Sequence, residues 1–272
     1  MRPLPASVLA ACGLIASACG AAASGGSAAG QADAPAPVTA APAPAAAAAA
    51  VANPLDGKVI VLDPGHNGGN YRNPAAVNRK VNVLTQWKAC DTTGTQTNGG
   101  YTEAAFTWDI ANRTAKILKS RGAKVKLTRS DNNSVGPCIT ERAAIGNQAK
   151  ANAVISIHAD GSAPGNRGFH VIMPKKINGP VDPVVADSRR LGVDIRDAYR
   201  KGTGLPYSTY IGSKALDFRN DLGGLNLSAV PKVFIETGNM KNPAEAAKLS
   251  DPKFRERIAL ALANGLQRYF TS

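Results

Sequence analysis

An α/β fold is what this sequence predicts: a mainly parallel twisted sheet flanked by helices on both faces, in a single domain at 55–272. Two observations carry that expectation. Short β-branched runs alternate with longer segments of helical period, which is the pattern of a sheet whose strands are joined by crossover helices. The Val, Ile, Leu and aromatic residues that build cores are also concentrated after about position 52, whereas Ala dominates before it. The remaining stretch of roughly 215 residues lies in the ordinary size range of one domain.

Taken in order, residues 58–62 (KVIVL) form a first strand that ends in the turn Asp63-Pro64-Gly65. A polar stretch at 70–98 reads as loop. Asn98-Gly99-Gly100 introduces a helix over 102–121, with Phe106, Ile110, Ile117 and Leu118 on one face and Gly122 as its stop. Residues 124–128 (KVKLT) are the next strand, 139–150 a helix, and 153–157 (AVISI) a strand. A strand at 168–173, a helix at 184–201, a strand at 232–236 (KVFIE) and a closing amphipathic helix at 254–270 complete the domain. No internal repeat interrupts the order.

The first 54 residues have a different composition. Arg2 precedes an apolar run at 8–18 whose length suits the hydrophobic core of an export signal and falls short of a bilayer span. Ala16, Ser17 and Ala18 lead into Cys19, which resembles a lipoprotein processing site, so 1–19 is read as an export signal with a candidate lipid anchor at Cys19. Ala stands where such sites usually carry Leu, three residues before that Cys. From 20 to 54 the chain is Ala, Pro, Gly and Ser with almost no charge or branched apolar residue, the composition of a disordered linker.

Export narrows the rest. The formal net charge is +13, which favours anionic partners such as the acidic polymers of a bacterial wall. Nucleic acid is set aside by the export signal and by an aromatic content of 5%, too little for a stacking platform. Cys90 and Cys138 are the two cysteines of the folded part. In an oxidising compartment they are best read as one disulfide; zinc binding by the pair lacks a local CxxC motif.

Three of the strands run into titratable residues, the first into Asp63-Pro64-Gly65-His66, the AVISI strand into His158-Ala159-Asp160, and the KVFI strand into Glu236-Thr237-Gly238. Reactive side chains of open α/β sheets gather at such carboxyl ends. Glu103 adds a fourth group at the start of a helix. Two imidazoles and a carboxylate are a usual catalytic zinc set, with a further carboxylate needed as general base. On that division His66, Glu103 and His158 hold one Zn2+ and Glu236 is catalytic. The plainer alternative makes each His a hydrogen-bonded strand-end residue and Glu103 an answer to the helix dipole.

The strings VIVLDPGHNG (59–68), GYTEAAFTWDIANR (100–113), LTRSD (127–131), ISIHADGS (155–162) and VFIETGNMKNP (233–243) resemble, in order, the motifs of the family-3 N-acetylmuramoyl-L-alanine amidases. The compact mycobacterial type, an export signal joined to a catalytic domain, is the most similar. The resemblance implies hydrolysis of the lactyl–L-alanine amide of peptidoglycan or muropeptides by zinc-activated water. It places the metal on His66, Glu103 and His158 and the general base at Glu236. Arg219, in RNDLGGL (219–225), becomes a candidate substrate contact, with an ion pair to Asp221 as the better-supported alternative. Arg142 is expected to be structural, and His170 a surface or packing residue. Some members carry an extra helix that plugs the site. Only one helix falls in that interval here, so an open site without an activator, on a monomer, is expected.

Overall fold

Apolar residues along the central strands alternate between two faces of the sheet, and that alternation decides which layer each helix joins. In the computed structural model, which describes residues 53–272, β1 (Val59–Pro64), β5 (Ala153–Asp160) and β8 (Lys232–Asn239) lie side by side and parallel. The export signal at 1–19 and nearly all of the 20–54 linker lie outside the described residues.

Ile60, Leu62, Ile155, Ile157, Val233 and Ile235 point to one side and join a single large core. That core is closed by α2 (Glu103–Ser120), α4 (Val185–Thr203) and α7 (Pro252–Thr271), which contribute Phe106, Ile110 and Leu118, then Leu191, Ile195 and Tyr199, then Ile258, Leu262 and Leu266. Val61 and Val154 point to the other side and pack with Ile145 and Ala149 of the α3 region (α3, Ile139–Gln148). Helices therefore cover both faces, and the parallel strands are buried on both sides.

The full strand order adds β4 (Lys124–Leu127), β6 (His170–Pro174) and β7 (Leu216–Arg219) to give β4-β1-β5-β8-β6-β7. β6 runs antiparallel to β8, while β7 is parallel to β6. The sheet is thus mainly parallel with a reversed edge. α2 opens where expected because Thr102, extended at its N-cap, accepts a hydrogen bond from Ala105 N–H at 3.3 Å, a cap worth about 1 kcal/mol. Elements not anticipated from the sequence are β7, α5 (Gly223–Asn226) and α6 (Pro243–Ser250).

The stretch at 70–98 departs from its reading as loop. It holds α1 (Pro74–Asn78) and a small antiparallel hairpin of β2 (Lys80–Asn82) and β3 (Trp87–Ala89). Two outside attachments make this possible. Cys90, just after β3, is disulfide-bonded to Cys138 at the start of α3, with a Cα–Cα distance of 4.6 Å. The hairpin also docks on the α5 segment through Thr85 Oγ1 to Asn220 O at 2.7 Å, Asn226 Nδ2 to Val83 O at 2.8 Å and the Lys88–Asp221 pair at 3.2 Å. The disulfide spans a sequence separation of 48. Chain entropy then predicts that the Cys90→Ser/Cys138→Ser variant loses about 3–5 kcal/mol of stability in denaturant unfolding. A loss under about 1 kcal/mol would refute that view of the bond.

Candidate metal centre

Adjacency of β1, β5 and β8 brings the strand ends together. His158 and Glu236 are paired across β5 and β8, and His66 follows the end of β1. Glu103, first residue of α2, projects between the two imidazoles. Its Oε1 lies 3.0 Å from His158 Nδ1 and 3.2 Å from His66 Nε2. One ligand atom from each of His66, Glu103 and His158 falls within 4.8 Å of the others, and the two rings meet edge to face with centroids 5.0 Å apart.

The local chain is shaped for this convergence. His66 has φ of 59°, an uncommon conformation for a residue with a side chain. It is held there by bonds to every carbonyl of the turn. Arg142 donates to Pro64 O at 2.7 Å and His66 O at 2.9 Å, Arg129 to Pro64 O at 3.1 Å, and Thr107 to Gly65 O at 2.8 Å. Strain of this kind persists only where the surroundings over-determine it. A Cβ at Gly65 would run into the His158 ring, so only glycine lets the β1 turn lie against that imidazole. His158 stacks on Phe234 at 5.3 Å, which fixes the plane of its ring. Glu103 is held from two directions, by Thr95 N–H to Oε2 at 2.9 Å and Ala159 N–H to Oε1 at 3.2 Å.

The electrostatics favour positive charge at the cluster. Burial opposes a charged imidazole, yet Glu103 and Asp91 push His66 up to about 10. Burial likewise opposes a charged Glu103, but the two imidazoles hold its carboxyl well below the usual carboxylate range. Glu236 behaves oppositely. Burial first, then the charges of Asp160 and Glu103, raise its carboxyl well above the ordinary value, and its Oε2 is buried without a hydrogen-bond partner. The donor set of two imidazole nitrogens and a carboxylate, with an unpartnered carboxylate beside it, fits a zinc ion with one position left open.

Beneath the cluster, Asp63 is fully buried on the α3 side of the sheet. It accepts from Arg142 at 2.9 Å, Lys232 at 2.9 Å, Thr128 at 2.7 Å and Ser156 at 2.8 Å. Arg142 is thus structural, as its sequence context suggested. Asp91 completes the group. Its Oδ2 meets Arg142 at 3.2 Å and its Oδ1 lies 3.4 Å from His66 Nδ1. Sequence reasoning did not single out Asp91; its place next to Cys90 is the only signal that could have found it.

The other singled-out residues are also placed. Arg219 donates to both oxygens of Asp221, at 2.8 and 2.6 Å, which is the ion-pair alternative. His170 is buried and pairs with Glu236 across β6 and β8, its Nδ1 unpartnered and 3.9 Å from Asp160. Of the two roles set out for it, it packs. A cavity of about 190 Å³ opens beside His66 and His158, lined in part by Ala89, Ile139, Leu222 and Phe234. A wider polar groove of about 690 Å³ runs past Gly94 between Tyr71 and Lys241. The stretch at 70–98 therefore forms a rim of the cleft.

Comparison with known proteins agrees with this geometry. The family model described as N-acetylmuramoyl-L-alanine amidase matches residues 60–268. The chain is 37% identical over 226 residues to the N-acetylmuramoyl-L-alanine amidase Rv3717 of Mycobacterium tuberculosis, covering 82% of this chain and 91% of that one. Among solved structures it is similar to Ami1 of Mycobacterium smegmatis, with TM-score 0.75 and 37% identity over 80% of this chain and 98% of that. Ami1 of Mycobacterium abscessus gives TM-score 0.73 and 40% identity over 79% and 99%.

Proposed function

From the premise that the chain belongs to the N-acetylmuramoyl-L-alanine amidases and hydrolyses peptidoglycan, we propose that it does so as a zinc enzyme with His66, Glu103 and His158 as ligands and Glu236 as general base. The observation that carries this reading is the convergence of the three donors within 4.8 Å, with Glu236 directly across the strand pair from His158. When bound, zinc supplies Lewis acidity, bringing the pKa of a water to about 7 and polarising a carbonyl oxygen.

The chain's own residues supply the proton transfers. Glu236 has one carboxylate oxygen without a partner, so it can accept a proton from the attacking water without first giving up a protein hydrogen bond. Burial raises its proton affinity, which suits a group that must take a proton and return it near neutral pH. It then passes that proton to the departing amine of L-alanine. The carbonyl carbon of the lactyl group of N-acetylmuramic acid is attacked, its C–N bond to L-alanine breaks, and the stem peptide leaves intact.

No helix among the described residues is long and apolar enough to cross a membrane. Peptidoglycan as substrate agrees with export to the periplasm or wall, with Cys19 as the candidate point of lipid attachment. Between β6 and β7 the single long helix is α4, and it packs into the core on the face opposite α3. That placement supports reading the site as open and in no need of an activator.

Metal removal tests the centre. Treatment with a strong chelator is expected to abolish release of peptides bearing a free L-alanine amine, measured by mass spectrometry of digested muropeptides, and one equivalent of zinc to restore it. His158→Ala should bind no zinc and stay inactive under the same restoration. Undiminished cleavage after chelation, or cleavage elsewhere in the stem, would overturn the assignment.

A further inference from the structure

The outer side of the His66 ring is built with as much care as the side that faces Glu103. Its Nδ1 meets three oxygens: Thr92 O at 3.1 Å, Thr92 Oγ1 at 3.1 Å and Asp91 Oδ1 at 3.4 Å. A carbonyl and a carboxylate can only accept. A neutral, metal-ligating ring would therefore carry its proton on Nδ1, which frees the Nε2 lone pair on the Glu103 side for the metal.

Asp91 is in turn clamped on all sides. Thr92 N–H donates to its Oδ1 at 2.7 Å, and Arg142 to its Oδ2 at 3.2 Å. Its own N–H bonds Val77 O at 3.2 Å. The preceding residue is Cys90, whose carbonyl accepts from Ile139 N–H at 2.8 Å and whose sulfur is bonded to Cys138. Cys138 is the N-cap of α3, and Arg142 lies one turn further along the same helix. The first turn of α3 thus grips Asp91 from both sides, by a covalent bond behind it and a guanidinium in front.

We propose that Asp91 is a positioning residue for His66, and that the Cys90–Cys138 disulfide sets the zinc affinity of the centre through Asp91 rather than serving stability alone. The inference rests on the zinc reading above. Groups that bond the far nitrogen of a metal-binding imidazole fix its tautomer and orientation, and their loss typically weakens metal binding by about 10–100-fold. Here the group is held by a disulfide and an ion pair, not by the strand that carries the ligand, so affinity and fold stability can be separated.

The test is zinc titration of the metal-free protein against a chromophoric competing chelator, with melting of the same metal-free samples followed in parallel. Asp91→Ala should bind zinc about 10–100-fold more weakly than the unaltered chain. Asp91→Asn should stay within about threefold, because Thr92 N–H keeps an oxygen on the His66 side, and yet melt lower because an amide replaces the charge facing Arg142. Cys90→Ser/Cys138→Ser should also weaken zinc binding. Adding Asp91→Ala to that variant should then weaken it less than the product of the separate effects, as coupled residues do.

Unchanged zinc affinity in Asp91→Ala overturns the proposal, as do independent, multiplying effects of the disulfide and Asp91. So does an Asp91→Asn variant whose affinity falls in step with its melting temperature, the behaviour of a purely structural residue. A chain that takes up no zinc, or a His66→Ala variant that binds it normally, would instead sink the metal-centre reading, and this inference with it.

Discussion

Replacement of Glu236 by alanine is expected to reduce muropeptide cleavage by about 10³-fold or more while the protein still binds one zinc per chain. The two halves of that expectation come from different features. Glu236 donates nothing to the three-residue cluster, whose members are held by Thr95, Ala159, Thr92 and Phe234. Its removal therefore leaves the ligands in place. It also removes a carboxyl that burial and neighbouring negative charge disfavour in ionised form, so the fold should not suffer. What is lost is, among the described residues, the only carboxylate with a buried oxygen free of protein partners.

Glu236→Gln sharpens the measurement. It keeps the size of the side chain but cannot take up a proton, so kcat should fall as in the alanine variant with KM little changed. A variant that loses zinc along with activity would make Glu236 a ligand. One that stays active would move the base elsewhere, and Asp160, one of the negative groups acting on Glu236, would be the residue to replace next.

The site was more legible in the sequence than the frame around it. DPGH, SIHA and ETG each couple a β-branched run to a titratable residue at its end, and the structure makes β1, β5 and β8 neighbours. Local pattern alone cannot supply that adjacency. It depends on long-range crossings, and the order of the motifs in a resembling family supplied the expectation. The hairpin at 80–89 was illegible for a related reason. Its strands have three residues each, too short for alternation to show, and they exist because of attachments to α3 and α5 distant in sequence. Asp91 has no periodicity to mark it at all and becomes informative only once Cys90 is known to join Cys138. The direction of β6 escaped for want of any local signal, since a buried apolar run reads the same in a parallel or an antiparallel neighbour.

Asp63→Ala is expected to cost about 3–5 kcal/mol, the loss seen when one partner of a buried ion pair is removed. For a domain of this size that is a fall in melting temperature of roughly 6–20 °C. The reasoning turns on charge balance below the sheet. Asp63 pairs with both Arg142 and Lys232 and Asp91 with Arg142, all with almost no solvent, and Arg129 adds a further buried cation nearby. Removing Asp63 leaves Lys232, 1% exposed, without its carboxylate partner, and Arg142 with Asp91 alone. Asp63→Asn/Lys232→Met removes one charge of each sign and leaves Arg142 paired with Asp91, so it should be more stable than Asp63→Ala. The same cluster sets an acid limit on the intact protein. Burial raises the Asp63 carboxyl, but Lys232 and Arg142 outweigh it and hold it far below the ordinary carboxylate range. The folded chain therefore binds fewer protons at this site than the unfolded one. Its contribution is complete above the unfolded value of about 3.9 and shrinks as pH falls below it. The gap in unfolding free energy between the two proteins should thus stay constant from pH 7 to about pH 4 and be about 1 kcal/mol narrower at pH 3. Parallel curves would assign the loss to packing instead, and an Asp63→Ala variant within about 1 kcal/mol of the intact chain at pH 7 would show that the buried cations find another partner.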